Sequence, residues 1–353
     1  HDIIETAQAI IDQDGDAYLS MAEPERLAYF KDRAYAEKLK ALRQDLAAFN
    51  VHYDNWFSER TLHPDAIRAA CDELKKRGKA YEKDGALWLK STDYGDDKDR
   101  VIIRDNGVPT YLAADIAYHK NKYERGFRKM INIWGADHHG YVARVKASMA
   151  ALGYDPSQLE VLLLQMVSLF RDGKPVKMSK RTGQAITLNE LIEEVGTDAA
   201  RYFFIMRSLD TQLDFDLDLA KSHSNENPVY YIQYAHARIY SIYKQIEEAG
   251  GTIPEDWSDV VWDTLQEPQE LELIKKMAAF PEEIQIAARE RAPHRIAHFA
   301  HELASLFHNF YNHCHVIQSD KDLEKARLAL VTAVRITIAG CLAILGVSAP
   351  EKM

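Results

Sequence analysis

Residues 129–170 read KMINIWGADHHGYVARVKASMAALGYDPSQLEVLLLQMVSLF, and this stretch decides the fold of the first part of the chain. KMINIWG (129–135) is a compact apolar run closed by a glycine. HHGYVARVKASMAALG (138–153) carries apolar residues at helical spacing and stops at Gly153. LEVLLLQMVSLF (159–170) is apolar almost throughout and predicts one continuous strand. Strands without polar alternation, separated by helices, are buried on both faces, as in a parallel sheet covered by helices.

Working outward, YLAADIAYHKNKYERG (111–126) predicts a helix before the first of these strands, ending at Gly126. The order helix, strand, helix, strand is half of a doubly wound nucleotide-binding sheet. Further upstream, residues 24–48 predict a long amphipathic helix, VHYDNWF (51–57) a strand, and residues 64–78 a helix between Pro64 and Gly78. GALWLKS (85–91) and RVIIR (100–104) predict short strands joined by the charged turn DYGDDKD. Downstream, the turn RDGKPVKMSKRTG (171–183) leads to short helices as far as about residue 209. From Asn227 only helical patterns continue, broken by AGGTIPEDWSD (249–259). The expected boundary lies near residue 220, giving an α/β domain over 1–220 and a helical bundle over 221–353.

Composition sets limits. A chain of 353 residues with 46% hydrophobic and 28% charged residues suits two soluble globular domains. No apolar run is expected to approach the length that crosses a bilayer, and HDIIETAQAI at the start lacks the basic and apolar regions of a secretion signal. Cys71, Cys314 and Cys341 form no C-x-x-C pair, which fits a reducing cytoplasm and neither a disulfide framework nor a zinc ribbon. A net charge of −10 argues against nucleic-acid binding by bulk charge, so any such binding rests on a local patch.

Three groups of residues carry chemistry. Lys177-Met178-Ser179-Lys180-Arg181 sits on a glycine-flanked loop after a buried strand, where open α/β sheets bind ligands. Two lysines and a serine there can close over a triphosphate and neutralise departing pyrophosphate. Gly135-Ala136-Asp137-His138 ends a strand and opens a helix, a place for a nucleotide. Gly135 permits close approach, and Asp137 can accept hydrogen bonds from ribose or an amine. The plainer reading makes Asp137 a helix cap. Tyr111 and Asp115 share one helix face, and a carboxylate beside an aromatic ring suits a guanidinium. In the helical part, Tyr231, Tyr234 and Arg238 form an aromatic and basic stripe of the kind that stacks unpaired bases, although such tyrosines are equally at home in a core. Two metal readings fail. The spacing of Asp214, Asp216 and Asp218 breaks from a calcium loop at Leu219 and Asn225, and His294, His298 and His301 lack a carboxylate or thiolate partner.

Together these segments resemble the arginyl-tRNA synthetases of the bacterial type. VKMSKRTG (176–183) is similar to the second signature of class I aminoacyl-tRNA synthetases, with Arg181 in its last place. YLAADIAY (111–118), IWGADHHGY (133–141) and FNVHYDNWFSE (49–59) look like family segments. LDFDLDLAKSHSNENPVYYIQYAHARI (213–239) and HFAHELASLFHNFYN (298–312) resemble parts of the anticodon-binding domain. The resemblance implies the second half of a Rossmann-like catalytic domain followed by a helical anticodon-binding domain. It also implies ATP-dependent formation of arginyl adenylate and transfer of arginine to the terminal ribose of its tRNA, with tRNA bound before activation.

By the same resemblance, Lys177, Ser179 and Lys180 act on the phosphates, and Tyr111 and Asp115 bind arginine. Gly135, Asp137, His138 and Met178 hold ATP or the adenylate, and Tyr231, Tyr234, Arg238, Tyr311 and Met353 meet the anticodon. ATP is a substrate accompanied by Mg²⁺; no resident metal, DNA or membrane is expected, and the protein is expected to be a cytoplasmic monomer. The first class I signature, His-x-Gly-His, does not occur, so the chain is expected to be the carboxy-terminal portion of a longer enzyme, inactive alone, with an open sheet edge. The rival readings are a non-catalytic tRNA-binding piece and a class I synthetase for another amino acid.

Overall fold

The computed structural model describes residues 2–176 and 186–353. The chain opens with a helical hairpin of α1 (Asp2–Asp14) and α2 (Glu23–Ala48), which Arg33 ties together by a 2.9 Å ion pair to Asp14. After α2 the expected strand VHYDNWF is absent: the segment has no ladder partner among the described residues and packs by its rings. Phe57 stacks on Tyr118 at 4.6 Å, and Arg43 lies 4.8 Å over Trp56. Then α3 (Asp65–Lys76) leads into an antiparallel sheet of β1 (Ala80–Lys83), β2 (Ala86–Leu89) and β3 (Arg100–Ile103). The polar sequence AYEK gave no sign of β1, which exists because β2 pairs with it.

The decisive stretch folds as α4 (Tyr111–Glu124), β4 (Met130–Gly135), a 3₁₀ turn (Ala136–Tyr141), α5 (Val142–Ala151) and β5 (Leu159–Leu164). β4 and β5 are parallel and in register from Met130 opposite Leu159 to Gly135 opposite Leu164. Ile116, Val145, Met149 and Leu159 are wholly buried between these layers. Among the described residues β4 pairs with β5 alone, and Ile131 and Ile133 stay exposed, as an open half-sheet requires.

The run 159–170 is not one strand. It breaks at Gln165, whose backbone N–H donates to Leu209 O at 2.9 Å, and resumes as β6 (Val167–Arg171) in another sheet. β6 turns through Asp172 and Gly173, both at positive φ (51° and 68°), into β7 (Lys174–Pro175). That pairing of left-handed residues is what a two-residue hairpin needs. On its other side β6 pairs in parallel with β8 (Leu213–Asp216), reached through α6 (Leu188–Val195) and α7 (Thr197–Ile205). Asp216 caps the short α8 (Leu217–Lys221), accepting from the backbone N–H groups of Asp218 and Leu219, which gives the aspartate run a structural use.

The remainder is a helical bundle: α9 (Pro228–Glu248), α10 (Pro268–Ala278), α11 (Phe280–Glu290), α12 (His294–His313) and α13 (Lys321–Leu345). Asn227 caps α9 and Asp320 caps α13. Ile232, Ile239, Leu303, Phe307, Val334 and Ile338 fill the core. Glu270 and Arg327 meet inside it at 2.6 Å. Contrary to the sequence expectation, α13 is long and apolar enough to cross a bilayer; half of its most apolar stretch is buried in the bundle, which accounts for that apolarity.

Candidate functional site

A cavity of about 500 Å³ opens at the carboxyl end of β4, where parallel α/β sheets bind ligands. Tyr111, Asp115, Tyr118, His119, Lys122, Asn132, Trp134, His138 and Tyr141 line it. Tyr111 stands on the first turn of α4, 84% exposed, and Asp115 follows one turn later on the same face. The Tyr141 hydroxyl donates to Asp115 Oδ2 at 2.7 Å. Burial, and then the Asp115 charge, push the Tyr141 phenol well above its ordinary range, so it stays a donor at neutral pH.

Beneath Asp115 runs a buried relay. His119 Nδ1–H donates to the Asp115 carbonyl at 2.8 Å, and its Nε2 accepts from Asn132 Nδ2 at 2.8 Å. Burial lowers the His119 pKa, keeping the ring neutral in that tautomer. Lys122 lies 4.3 Å over the Tyr118 ring, and burial lowers its pKa in turn. Gly135 ends β4 beside this cavity; a Cβ on it would come within 2.6 Å of the Asp137 carboxylate. Asp137 is exposed beside His138 at 3.8 Å and makes no helix cap. The cavity therefore offers a fixed carboxylate between aromatic rings, suited to a planar cation.

In the bundle, Arg238 is held between two rings, 4.5 Å from Tyr234 and 4.5 Å from Tyr311, and donates to the Tyr234 hydroxyl at 2.8 Å. These residues, with Met353, border a hollow of about 220 Å³. Tyr231 lies outside it, turned onto His301 and His308 at 5.2 and 4.5 Å. His308 Nδ1 faces Arg238 Nη1 at 3.3 Å, and burial drives its pKa down to about 4, so the neutral ring accepts.

Residues 24–208, just over half of the chain, match the family of class I tRNA synthetases (R), catalytic domain. The chain belongs to the arginyl family of class I tRNA synthetases. Residues 232–353 match the DALR anticodon binding domain. The arginine–tRNA ligases of Carboxydothermus hydrogenoformans and Moorella thermoacetica are 56% and 54% identical over the whole chain, and the chain spans 63% of the length of each. A solved arginyl-tRNA synthetase structure from Campylobacter jejuni is 38% identical, with a TM-score of 0.89 over 99% of this chain and 75% of that one. The arginyl-tRNA synthetase of Thermus thermophilus, at 22% identity and a TM-score of 0.76 over 99% of this chain and 69% of that one, shares the fold.

Of the candidate residues suggested by resemblance to the arginyl-tRNA synthetases, the structure gathers Tyr111, Asp115 and His138 around one cavity and Tyr234, Arg238, Tyr311 and Met353 around another. Lys177, Met178, Ser179 and Lys180 lie outside the described residues. Sequence reading missed His119, Lys122, Asn132 and Tyr141. His119 and Lys122 were within reach, since they continue the helical face of Tyr111 and Asp115 at offsets of four and seven from Asp115.

Proposed function

We propose that the protein is an arginine–tRNA ligase, activating arginine with ATP and transferring it to the terminal ribose of arginine tRNA. The observation that carries this reading is the Asp115 carboxylate, fixed by Tyr141 and flanked by Tyr111 in a cavity at the end of a parallel strand. There Asp115 pairs with the substrate guanidinium and Tyr111 covers it. Gly135, Asp137 and His138 hold the adenylate near that strand end. Lys177, Ser179 and Lys180 meet the phosphates, with Met178 against the nucleotide, and Mg²⁺ enters with ATP. Residues 1–220 form the catalytic portion and residues 221–353 the anticodon-binding portion, where the Tyr234, Arg238, Tyr311 and Met353 hollow takes an unpaired base. Tyr231 supports that site from behind by packing on His308. The protein works as a cytoplasmic monomer, without DNA or membrane; its three buried, free cysteines suit a reducing compartment.

The test is arginine-dependent pyrophosphate exchange in the presence of arginine tRNA, by the chain fused to the preceding portion of one of its relatives. Asp115→Asn lowers kcat/KM for arginine by about a hundredfold or more, the value expected when a charged pairing to substrate is lost. Exchange supported by lysine or methionine, or indifferent to Asp115→Asn, would overturn the reading.

A further inference from the structure

Residues 345–353 are fastened at several points to parts of the chain far away in sequence. At the end of α13, Arg201 donates from Nε and Nη2 to Leu345 O at 3.0 and 2.9 Å. Its Nη1 donates to Phe49 O and Asn50 O at 2.7 and 3.2 Å, and Asn50 Nδ2 reaches Gly346 O at 3.1 Å. Gly346 has φ +67°, and a Cβ there would lie 2.6 Å from the Arg201 guanidinium. Two residues on, Ser348 donates its N–H to Asp198 Oδ1 at 3.0 Å and its hydroxyl to Oδ2. Gln233 Nε2 bridges Asp198 Oδ2 and Ser348 O at 2.8 and 3.0 Å. His236 Nδ1–H then donates to Pro350 O at 2.8 Å. Immediately afterwards Glu351, Lys352 and Met353 form one wall of the hollow that contains Tyr234, Arg238 and Tyr311.

We propose that Asp198 and Arg201 of α7 are positioning residues for the RNA-loop site, touching no RNA themselves. Both lie in the stretch that matches the catalytic family, while the hollow lies in the stretch that matches the anticodon-binding family. The proposal rests on the reading of that hollow as the seat of an unpaired base.

The physical reason is entropic. Residues 347–353 belong to no helix or strand, so without fasteners each binding event would have to order them. The carboxylate of Asp198 takes both donors of Ser348 and Arg201 caps the Leu345 carbonyl at the end of α13, so the wall is in place before RNA arrives. Linkage makes the effect mutual: RNA pressed against Met353 strengthens the hold of the tail on α7.

The experiment is an anisotropy titration of a fluorescein-labelled RNA stem-loop bearing an arginine anticodon, with the chain and with the same chain ending at Pro350. In the longer chain Asp198→Ala weakens binding by about fivefold to tenfold, the cost of losing its two hydrogen bonds to Ser348. In the chain ending at Pro350 the same substitution changes binding by less than about twofold, because the wall it positions is gone. An Asp198→Ala effect that is absent, or equal in both backgrounds, overturns the proposal while Arg238→Ala still weakens binding. If Arg238→Ala is without effect too, the hollow is not the RNA site and the proposal falls with that reading. Should Asp198→Ala melt early, Ser348→Ala removes the hydroxyl bond from the tail side, with about threefold expected and the same comparison of backgrounds deciding.

Discussion

Removing the Tyr141 hydroxyl tests the proposed arginine cavity at its most specific contact. In Tyr141→Phe the ring keeps its place, with its edge contact to Trp134 at 5.7 Å and the Arg144 guanidinium 5.0 Å over its face. Only the 2.7 Å donor to Asp115 Oδ2 is lost. A hydrogen bond to a charged acceptor contributes about 1.5–3 kcal/mol where no water can replace it. Asp115 is half-buried and lines an open cavity, so water recovers part of that, leaving about 1 kcal/mol. That corresponds to about a fivefold rise in KM for arginine. Because the proposed grip of the carboxylate is on a part of arginine remote from the reacting carboxyl group, kcat should stay within about twofold. Pyrophosphate exchange at saturating ATP and at varied arginine reads both constants, and the KM for ATP serves as the internal control. An unchanged KM for arginine, or an equal rise in the KM for ATP, refutes the role assigned to Tyr141.

Other outcomes follow from the same geometry. Glu270→Ala strands the buried Arg327 guanidinium and should cost about 3–5 kcal/mol in urea unfolding, whereas Glu270→Gln with Arg327→Met should cost much less. Tyr311→Ala removes one of the two rings around Arg238 and should weaken stem-loop RNA binding by about 1–3 kcal/mol, the usual worth of one stacked base, read by titration below the variant's melting transition. His308 is neutral in the folded chain, with its pKa lowered from 6.5 to about 4, so protons bind the unfolded state more readily. The stability that this neutral ring contributes is present above pH 6.5 and is lost as pH falls from there toward 4, by about 3 kcal/mol at most. His308→Asn should flatten that part of the pH profile of urea melts; a profile of unchanged slope would clear His308 of the effect.

The extent to which sequence disclosed structure differed along the chain for physical reasons. α4, β4, α5 and β5 were legible because strands buried on both faces must be apolar and helices must show their period. The break at Gln165 was not, since apolarity reports burial and is silent on which sheet does the burying. β1 and β8 are short and half polar, and each is defined by its partner strand. VHYDNWF has strand-forming residues, yet Phe57 finds its place against Tyr118 by ring stacking and forms no ladder among the described residues.

The candidate sites show the same division. Helical spacing alone put Tyr111 beside Asp115. Tyr141 reaches Asp115 only because β4 and the turn after it fold back over α4, a contact between residues 26 apart. Tyr231 shares a helix with Tyr234 and Arg238 but is claimed by the rings of α12, a tertiary preference with no trace in its own segment.

Charging tests the proposed activity most directly: transfer of labelled arginine to arginine tRNA, with ATP and Mg²⁺, by the chain fused to the preceding portion of one of its relatives. Charging is expected with arginine alone among the amino acids, falling by about a hundredfold or more in Asp115→Asn. Charging with a different amino acid, or charging with arginine that Asp115→Asn leaves intact, would contradict it.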